Sequence, residues 1–477
     1  MKKQWLIPGV LALPLLVGAA LGSTLAKGKK VSNWQPEADP EREEAYAKKL
    51  STMVQYETVS RMDEIQREKF LGFHKVLEEL FPLLHQNLEK TEIDGSLLYL
   101  WKGRHSDKPV ILMGHQDVVP AEGKWEHEPF SGDIENGKIW GRGSSDDKCS
   151  VMAFMQAVEE LLKEGFVPEQ DIYLASSSGE EVDGPGARKI VEELERRGVK
   201  PFLVCDEGGA IVTEPIGGIK GNFAMVGVLE KGMGNLTLSA YSNGGHSSYP
   251  KKNSPIARLS KFVADIEKHD PMTVEFEPET EAMFKALSGY GPFYMRLLFG
   301  NLWLFKPLLK VLLPRISPQA GALLKTTIAF TQQSGSDGAN VMPQEATLNI
   351  NLRYIPHQGK EESDRIIEEI AKKYDLVISK NTGYDALEPV STKSEAYHLV
   401  EEVIHETFPG LPVCPYVMTG GTDARNYQKI CDACIRFSPV LFGPAQMKGM
   451  HGLNEYLDTV SLPGAVDFYK GVIQKIR

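Results

Sequence analysis

A chain of 477 residues can bury a large core and divide into more than one domain. Hydrophobic residues at 42% and charged residues at 25% are ordinary globular values, and a formal net charge of -11 without a long basic stretch argues against nucleic acid as a partner. Five cysteines in this length exclude a disulfide framework. Cys431-Asp432-Ala433-Cys434 is the one CxxC. Without a second cysteine pair it is poor evidence for zinc, although its sulfurs could pair in an oxidising compartment.

At the amino terminus Lys2 and Lys3 precede an uncharged run from Gln4 to Ala26, and Lys27, Lys29 and Lys30 follow. That is the pattern of an export signal, and the run is also near the roughly 20 residues that span a bilayer. Pro8 and Pro14 favour a signal over a stable anchor. Residues 1–30 are therefore a signal peptide or membrane anchor, and the mature protein is expected outside the cytoplasm, secreted or tethered by residues 4–26.

Helices are expected over 40–58 and 64–84, the second with Phe70, Phe73, Val76, Leu77 and Leu80 on one side. Strands at 96–101, 109–114, 171–176 and 201–205 alternate with helices at 148–164 and 186–197. This spacing indicates a mainly parallel sheet with helices on both faces. The texture changes at about 231. Strands at 235–242, 326–332, 345–355 and 376–380 with helices at 254–266 and 361–374 follow the ferredoxin-like order. An apolar insertion, roughly 271–325, interrupts it, and Arg296, Lys306, Pro307, Lys310 and Pro314 speak against a membrane span there. The chain then returns to α/β character and ends on a helix at 463–476. The reading is an α/β catalytic domain of residues 40–230 and 383–477, with a ferredoxin-like α+β lid or dimerisation domain inserted at 231–382.

The chemistry gathers at strand ends. His115 and Asp117, in Gly114-His115-Gln116-Asp117, are two apart and share one side of the strand's carboxyl end, where α/β sheets build sites. Alone, such a pair is more often solvated polarity. Four further segments join it: Asp146-Asp147 where a loop enters a helix, Glu180-Glu181, Cys205-Asp206-Glu207, and His451 with Glu455 near the end. Read singly, these are a helix cap or solvated acids. Carboxylates gathered at one edge repel unless cations neutralise them. A pair of divalent ions ~3.5–4 Å apart does so, sharing one carboxylate. Histidine and carboxylate donors without thiolates suit Zn²⁺, with Mn²⁺ or Co²⁺ as alternatives.

In GHQDVVP, GRGSSDDK, SGEE, DEGG, GGHSS and HGLNE, taken in order, the chain resembles the dizinc aminoacylase/carboxypeptidase family. That family includes aminoacylase, carnosinase and carboxypeptidase G, and the nearest resemblance is to its carboxypeptidase S and secreted N-acyl amino acid hydrolase branch. The resemblance covers essentially everything after the first forty residues. It implies two Zn²⁺ per subunit, one held by His115, Asp146 and Asp206 and the other by Asp146, Glu181 and His451. Asp146 would bridge and be joined to Asp147 by a cis peptide, and Glu207 is the alternative to Asp206. It further implies that Asp117 orients His115, that Glu180 is the general base, and that His246 reaches a homodimer partner's site to stabilise the oxyanion.

Arg353, on a strand of the inserted segment, is a candidate clamp for a substrate carboxylate, with a salt bridge as the plainer reading. Asn340 is a weaker candidate, and Gly421 and Thr422 could offer backbone donors from a turn or form a plain loop. The expected activity is hydrolysis of an amide or peptide bond in a small peptide or N-acyl amino acid, releasing an amino acid with a free carboxylate. If the apolar insertion is a lipid-facing lid, the substrates become N-fatty-acyl amino acids; packing in a core or dimer interface is the plainer role. A non-catalytic scaffold would have lost ligands, and no candidate position is lost.

Overall fold

The computed structural model describes residues 6–61 and 67–477, with side chains from residue 14 onward. The helix expected from residue 40 runs Pro40–Gln55; Asp39 accepts the backbone N–H of Arg42 and Pro40 opens the first turn. The expected second helix begins at 64, and its first residues, 64–66, lie outside the described residues. From there it is two helices, Arg67–Leu80 and Pro82–Asn87, because Pro82 cannot continue the hydrogen-bond ladder.

The large sheet has eight strands in the spatial order Glu89–Ile93, Ser96–Trp101, Gln170–Ser177, His105–His115, Leu203–Thr213, Cys434–Phe442, Asn222–Glu230 and Val413–Met418. His105–His115 is parallel to both neighbours, and so is Leu203–Thr213 to Cys434–Phe442. Gln170–Ser177 and Asn222–Glu230 are buried at every position, as continuous apolar strands of a covered sheet should be. Lys148–Lys163 packs with Ser461–Lys475 and Pro40–Gln55, while Gly186–Arg196 packs against Ser96–Trp101 and Gln170–Ser177.

The strand expected to stop at 205 instead continues to Thr213 and pairs antiparallel with Asn222–Glu230. Its neighbours close on the backbone at Gly209, where a β-carbon would collide with the carbonyls of Arg436 and Met225.

A second, antiparallel sheet has the order Thr327–Ser334, Glu345–Tyr354, Gly232–Tyr241, Val377–Tyr384, the ferredoxin-like arrangement. Along Glu345–Tyr354 alternation is complete. Ala346, Leu348, Ile350, Leu352 and Tyr354 are buried in a core with Phe262 and Ile367 of the covering helices, while Thr347, Asn349, Asn351 and Arg353 face the open side. The last strand runs on past the expected 380 to Tyr384.

The apolar insertion forms four helices, Pro278–Ser288, Phe293–Gly300, Leu302–Ile316 and Pro318–Ala322. Their core joins Phe276, Phe284, Phe299 and Leu309 to Phe223, Met225 and Cys414 of the large sheet, so the insertion rests on that sheet's edge. Residues Leu6–Lys27 are helical and lie against Phe293–Gly300. Among the described residues no single helix is long and apolar enough to cross a membrane; Phe293–Gly300 and Leu302–Ile316 pass that test only as a pair bent by 107°. All five cysteines are buried free thiols, and the Cys434 Sγ–H donates to the carbonyl of Cys431.

Candidate metal centre

His115 is the last residue of its strand and Glu180-Glu181 form a short turn just beyond the neighbouring one, entered through Gly179 at φ 114°. Only glycine adopts that backbone readily. The turn is held by Asp117, whose carboxylate oxygens accept the backbone N–H groups of Glu180 (3.0 Å) and Glu181 (3.2 Å). His115 Nδ1 lies 2.9 Å from the carbonyl of Asp117 and 3.5 Å from its carboxylate. The orienting contact to His115 is thus chiefly the backbone, and the Asp117 side chain mainly fixes the two glutamates.

Asp146 stands between two histidines. Its Oδ1 is 3.0 Å from His115 Nε2, and its Oδ2 is 3.1 Å from His451 Nε2, which is also 3.1 Å from Glu181 Oε2. The Asp146–Asp147 peptide is cis. Ligand atoms of His115, Asp146 and Glu181 all lie within 4.8 Å of one another. Leu112 pairs in parallel with Cys205, so alternation puts Asp206 on the His115 side of the sheet and Glu207 on the Gly114 side. Asp206 is buried and accepts N–H groups from Ala424 (2.7 Å) and Glu207 (2.9 Å).

These residues fit a cation pair. Glu181 Oε1 and Asp147 Oδ2 are buried with no hydrogen-bond partner. Burial raises the carboxyls of Glu180, Glu181, Asp206 and Glu207 above the usual range, and Asp423 to about 6. Only the contacts of His115 and His451 outweigh burial and hold Asp146 low. Several desolvated acids within one cluster need positive charge to coexist.

The scaffold is as specific as the cluster. Glu455 is fully buried and its Oε1 accepts the N–H groups of Gly143 (3.0 Å), Ser145 (3.0 Å) and Asp146 (3.2 Å) and the Ser145 hydroxyl (3.0 Å). The Arg142 guanidinium donates to its other oxygen. Lys148 is buried and donates to the carbonyls of Met53 and Tyr56; burial lowers its ammonium to about 7. On the other flank Ser177 donates to Asp423, and Arg425 Nη1 lies 3.8 Å from Glu180 Oε1 with its guanidinium 5.3 Å from the Tyr384 ring centre. A cavity of about 650 Å³ around Trp34 and Phe408 is lined by none of these groups. Two smaller ones touch the centre: about 390 Å³ beside Arg142 and His451, and about 140 Å³ beside Asp147 and Glu207.

Residues 111–475 match the model of Peptidase family M20/M25/M40. The chain belongs to this family. It is 36% identical over 440 residues to probable carboxypeptidase S-like 2 of Dictyostelium discoideum, covering 90% of this chain and 84% of that one. It is 36% identical over 434 residues to the N-fatty-acyl-amino acid synthase/hydrolase PM20D1 of Xenopus tropicalis, covering 89% and 84%. Among solved structures, an M20 family metallo-carboxypeptidase from Sulfolobus solfataricus superposes with TM-score 0.67 at 17% identity, covering 90% and 98%. Human carnosine dipeptidase 1 gives 0.61 at 16% identity, covering 91% and 97%; these two likenesses concern the fold. As an M20-family chain, the protein is a metal-dependent hydrolase of amide or peptide bonds, of the carboxypeptidase, dipeptidase and aminoacylase type.

The structure brings together His115, Asp117, Asp146, Glu180, Glu181, Asp206 and His451. His246 is elsewhere: exposed in a small ladder with Val341–Met342, its Nδ1 accepting from the N–H (3.1 Å) and hydroxyl (2.7 Å) of Ser248. Asn340 flanks the same ladder, its carbonyl accepting the N–H of Ser247 at 3.0 Å. Arg353 lies across from Met233, which in turn lies across from Tyr384, so one row of the open sheet face runs from Arg353 to Arg425's aromatic neighbour. The Thr422 hydroxyl turns inward, 3.2 Å from Glu230, leaving only main-chain donors at Gly421 and Thr422. In the sequence Glu455 reads only as one more acid beside His451 and Arg142 only as part of GRGSSDDK, while Arg425 and Tyr384 carry no signal of their own.

Proposed function

We propose that His115, Asp146 and Asp206 hold one divalent cation and Asp146, Glu181 and His451 a second, with Glu180 as general base. Asp146, with one oxygen toward each histidine, carries this reading. Zn²⁺ suits the donor set, Mn²⁺ or Co²⁺ less closely. When bound, such a pair polarises the scissile carbonyl and lowers the pKa of a shared water. Glu180, fixed through its backbone by Asp117 and flanked by Arg425, takes the proton from the attacking water and returns it to the leaving amine. Arg353 receives the free carboxylate of the amino-acid product along the row shared with Tyr384. Gly421 and Thr422 contribute main-chain donors.

Residues 231–382 act as lid and dimerisation domain of a homodimer. His246, exposed in its ladder with Val341–Met342, then serves the oxyanion in the partner's site, and Asn340 beside it is the weaker candidate for the substrate carboxylate. The protein works outside the cytoplasm, with residues 4–26 as signal or anchor.

A second reading, N-fatty-acyl amino acid hydrolysis or synthesis, is favoured by the cavity of about 140 Å³ at Asp147 and Glu207. Val212, Met225, Tyr416, Phe442, Met447 and Met450 make it an apolar slot for an acyl chain. The test is a panel of dipeptides and N-acyl amino acids of rising chain length, each beside its carboxamide, with metal analysis. Cleavage confined to free carboxylates is expected, and a rise with chain length selects the second reading. Undiminished turnover by Glu180→Ala with both metals retained would sink the assigned base.

A further inference from the structure

The least accounted-for surface of the molecule lies far from the chemistry, where the N-terminal helix meets the apolar insertion. Asn301 Nδ2 donates to Thr24 Oγ1 at 3.0 Å, the Lys30 N–H donates to the carbonyl of Gly289 at 2.9 Å, and Ala20 is fully buried. The helix Leu6–Lys27 is therefore seated on the bend between Phe293–Gly300 and Leu302–Ile316. Between them is a cavity of about 530 Å³ lined by Lys27, Lys30, Lys285 and Arg296 with the hydroxyls of Ser23 and Ser288, and by no acid. Among the described residues only Lys285 of these cations reaches a carboxylate, Glu281 at 3.6 Å. The Nε of Arg296 is buried without a partner.

The helices that meet at this basic cavity also expose apolar side chains. Along Leu302–Ile316, Leu302, Leu309 and Leu313 turn into the core, while Trp303 (60%), Leu308 (52%), Val311 (53%) and Ile316 (65%) remain exposed. Phe293 and Tyr294 of the preceding helix, and Leu15 and Leu25 of the N-terminal one, are exposed too. Large apolar side chains exposed together mark an interaction face. Residues 293–316 carry four basic side chains and no acidic one in a chain of net charge -11. A bend of 107° rules out a straight span but suits helices lying flat in an interface.

We propose that this face docks on a bilayer rich in anionic phospholipid. The Lys27–Lys30–Lys285–Arg296 cavity takes a lipid phosphate, and Trp303, Leu308 and Val311 enter the headgroup–acyl boundary. Cations beside exposed apolar side chains are complementary to that surface and to no acidic protein patch, which would leave the exposed aromatic and aliphatic side chains in water. This docking rests on residues 6–30 being retained, as the anchor and not the cleaved signal, because Ser23, Lys27 and Lys30 line the cavity; it stands whether the substrate is a peptide or an acyl amino acid.

The test uses the full chain. Because all five native thiols are buried, Trp303→Cys, Val311→Cys and, as a remote control, Val167→Cys can each be labelled with a polarity-sensitive fluorophore. With phosphatidylglycerol-containing vesicles, the labels at 303 and 311 are expected to shift to the blue and the label at 167 to stay unchanged. Lys30→Glu with Arg296→Glu is expected to weaken vesicle binding at least tenfold. Three results overturn the proposal: unshifted labels at 303 and 311 on protein that still sediments with vesicles, equal binding to neutral phosphatidylcholine, or the same shift without vesicles as protein concentration rises, which would mean that a second copy covers the face.

Discussion

Asp117 carries two jobs on one residue: its carbonyl meets His115 and its carboxylate holds the backbone of Glu180 and Glu181. Asp117→Asn turns an amide donor toward one of those N–H groups and displaces the base while keeping the volume. Turnover is expected to fall by about 100-fold, with thermal stability little changed, as for other groups that orient metal ligands. Steady-state rates beside a melting curve check this; loss in proportion to unfolding would contradict it. Glu180→Gln should lower kcat by about 10²–10⁴-fold at unchanged metal content. Arg353→Ala should raise KM for carboxylate substrates and leave their carboxamides unaffected.

Much of this cluster was legible because its candidate ligands lie at or just beyond the ends of strands and helices, within short glycine-containing motifs. His115, Asp146, Glu181 and His451 could be read that way. The convergence of four donors on Glu455 could not, since it depends on how a C-terminal loop meets the loop before Lys148. The direction of Arg425, in a turn read only for its backbone, depends likewise on the arrival of Tyr384 from another sheet.

Among elements, the turn 142–146 depends most on one distant side chain. Glu455→Gln removes the charge that satisfies Arg142 in a fully buried pair, and breaking such pairs costs about 3–5 kcal/mol. Denaturant unfolding with saturating metal should show that loss.

The Arg67–Leu80 helix carries a pH dependence. His74 is buried between Gly95 and Gln116, and burial, aided by Lys90, lowers its pKa from 6.5 to about 4. The unfolded chain therefore takes up the proton first. The contribution of His74 is complete above 6.5 and is lost as pH falls toward 4, by on the order of 3 kcal/mol. Denaturation midpoints between those limits should fall less steeply for His74→Asn.

The strand at Leu203–Thr213 outran its sequence reading because the glycines at 208 and 209, which look like a terminus, are sites of close approach, by the side chains of Met418 and Thr422 at Gly208 and by neighbouring backbone at Gly209. Leu302–Ile316 holds Pro307 and Pro314 and is still one helix. A proline's cost depends on where it falls in the ladder, and packing of Leu309 and Leu313 against the large sheet's edge sustains the element.

For the whole molecule, the buried acids at the centre make the fold and its cations interdependent. A chelator should lower the melting temperature and added Zn²⁺ should restore it, by the equivalent of about 2.7 kcal/mol when the free ion is 100 times its Kd. Calorimetry with and without chelator measures this, and an unchanged transition would mean that the cluster tolerates its own charge. The ferredoxin-like order and the mainly parallel sheet were legible at this scale because hydrophobic periodicity is local. How the two sheets meet was not. Lys231, buried at the crossing, donates to the carbonyls of Ala322 and Lys325, and a β-carbon at Gly232 would strike the backbone of Asp385, so the outgoing and returning segments lie against each other.

The five enclosed thiols turn this architecture into a clock. Cys149 lies in the helix that follows Asp146-Asp147, Cys205 in the strand that carries Asp206, Cys414 beneath the apolar insertion, and Cys431 and Cys434 before and at the start of the strand Cys434–Phe442. A thiol reagent reaches each one only when its own layer breathes, so the sequence in which they are modified ranks the local openings of the native protein. Occupancy of the centre should retard Cys149 and Cys205 and leave the pace of Cys414 alone, separating motion at the chemistry from motion at the insertion within one experiment.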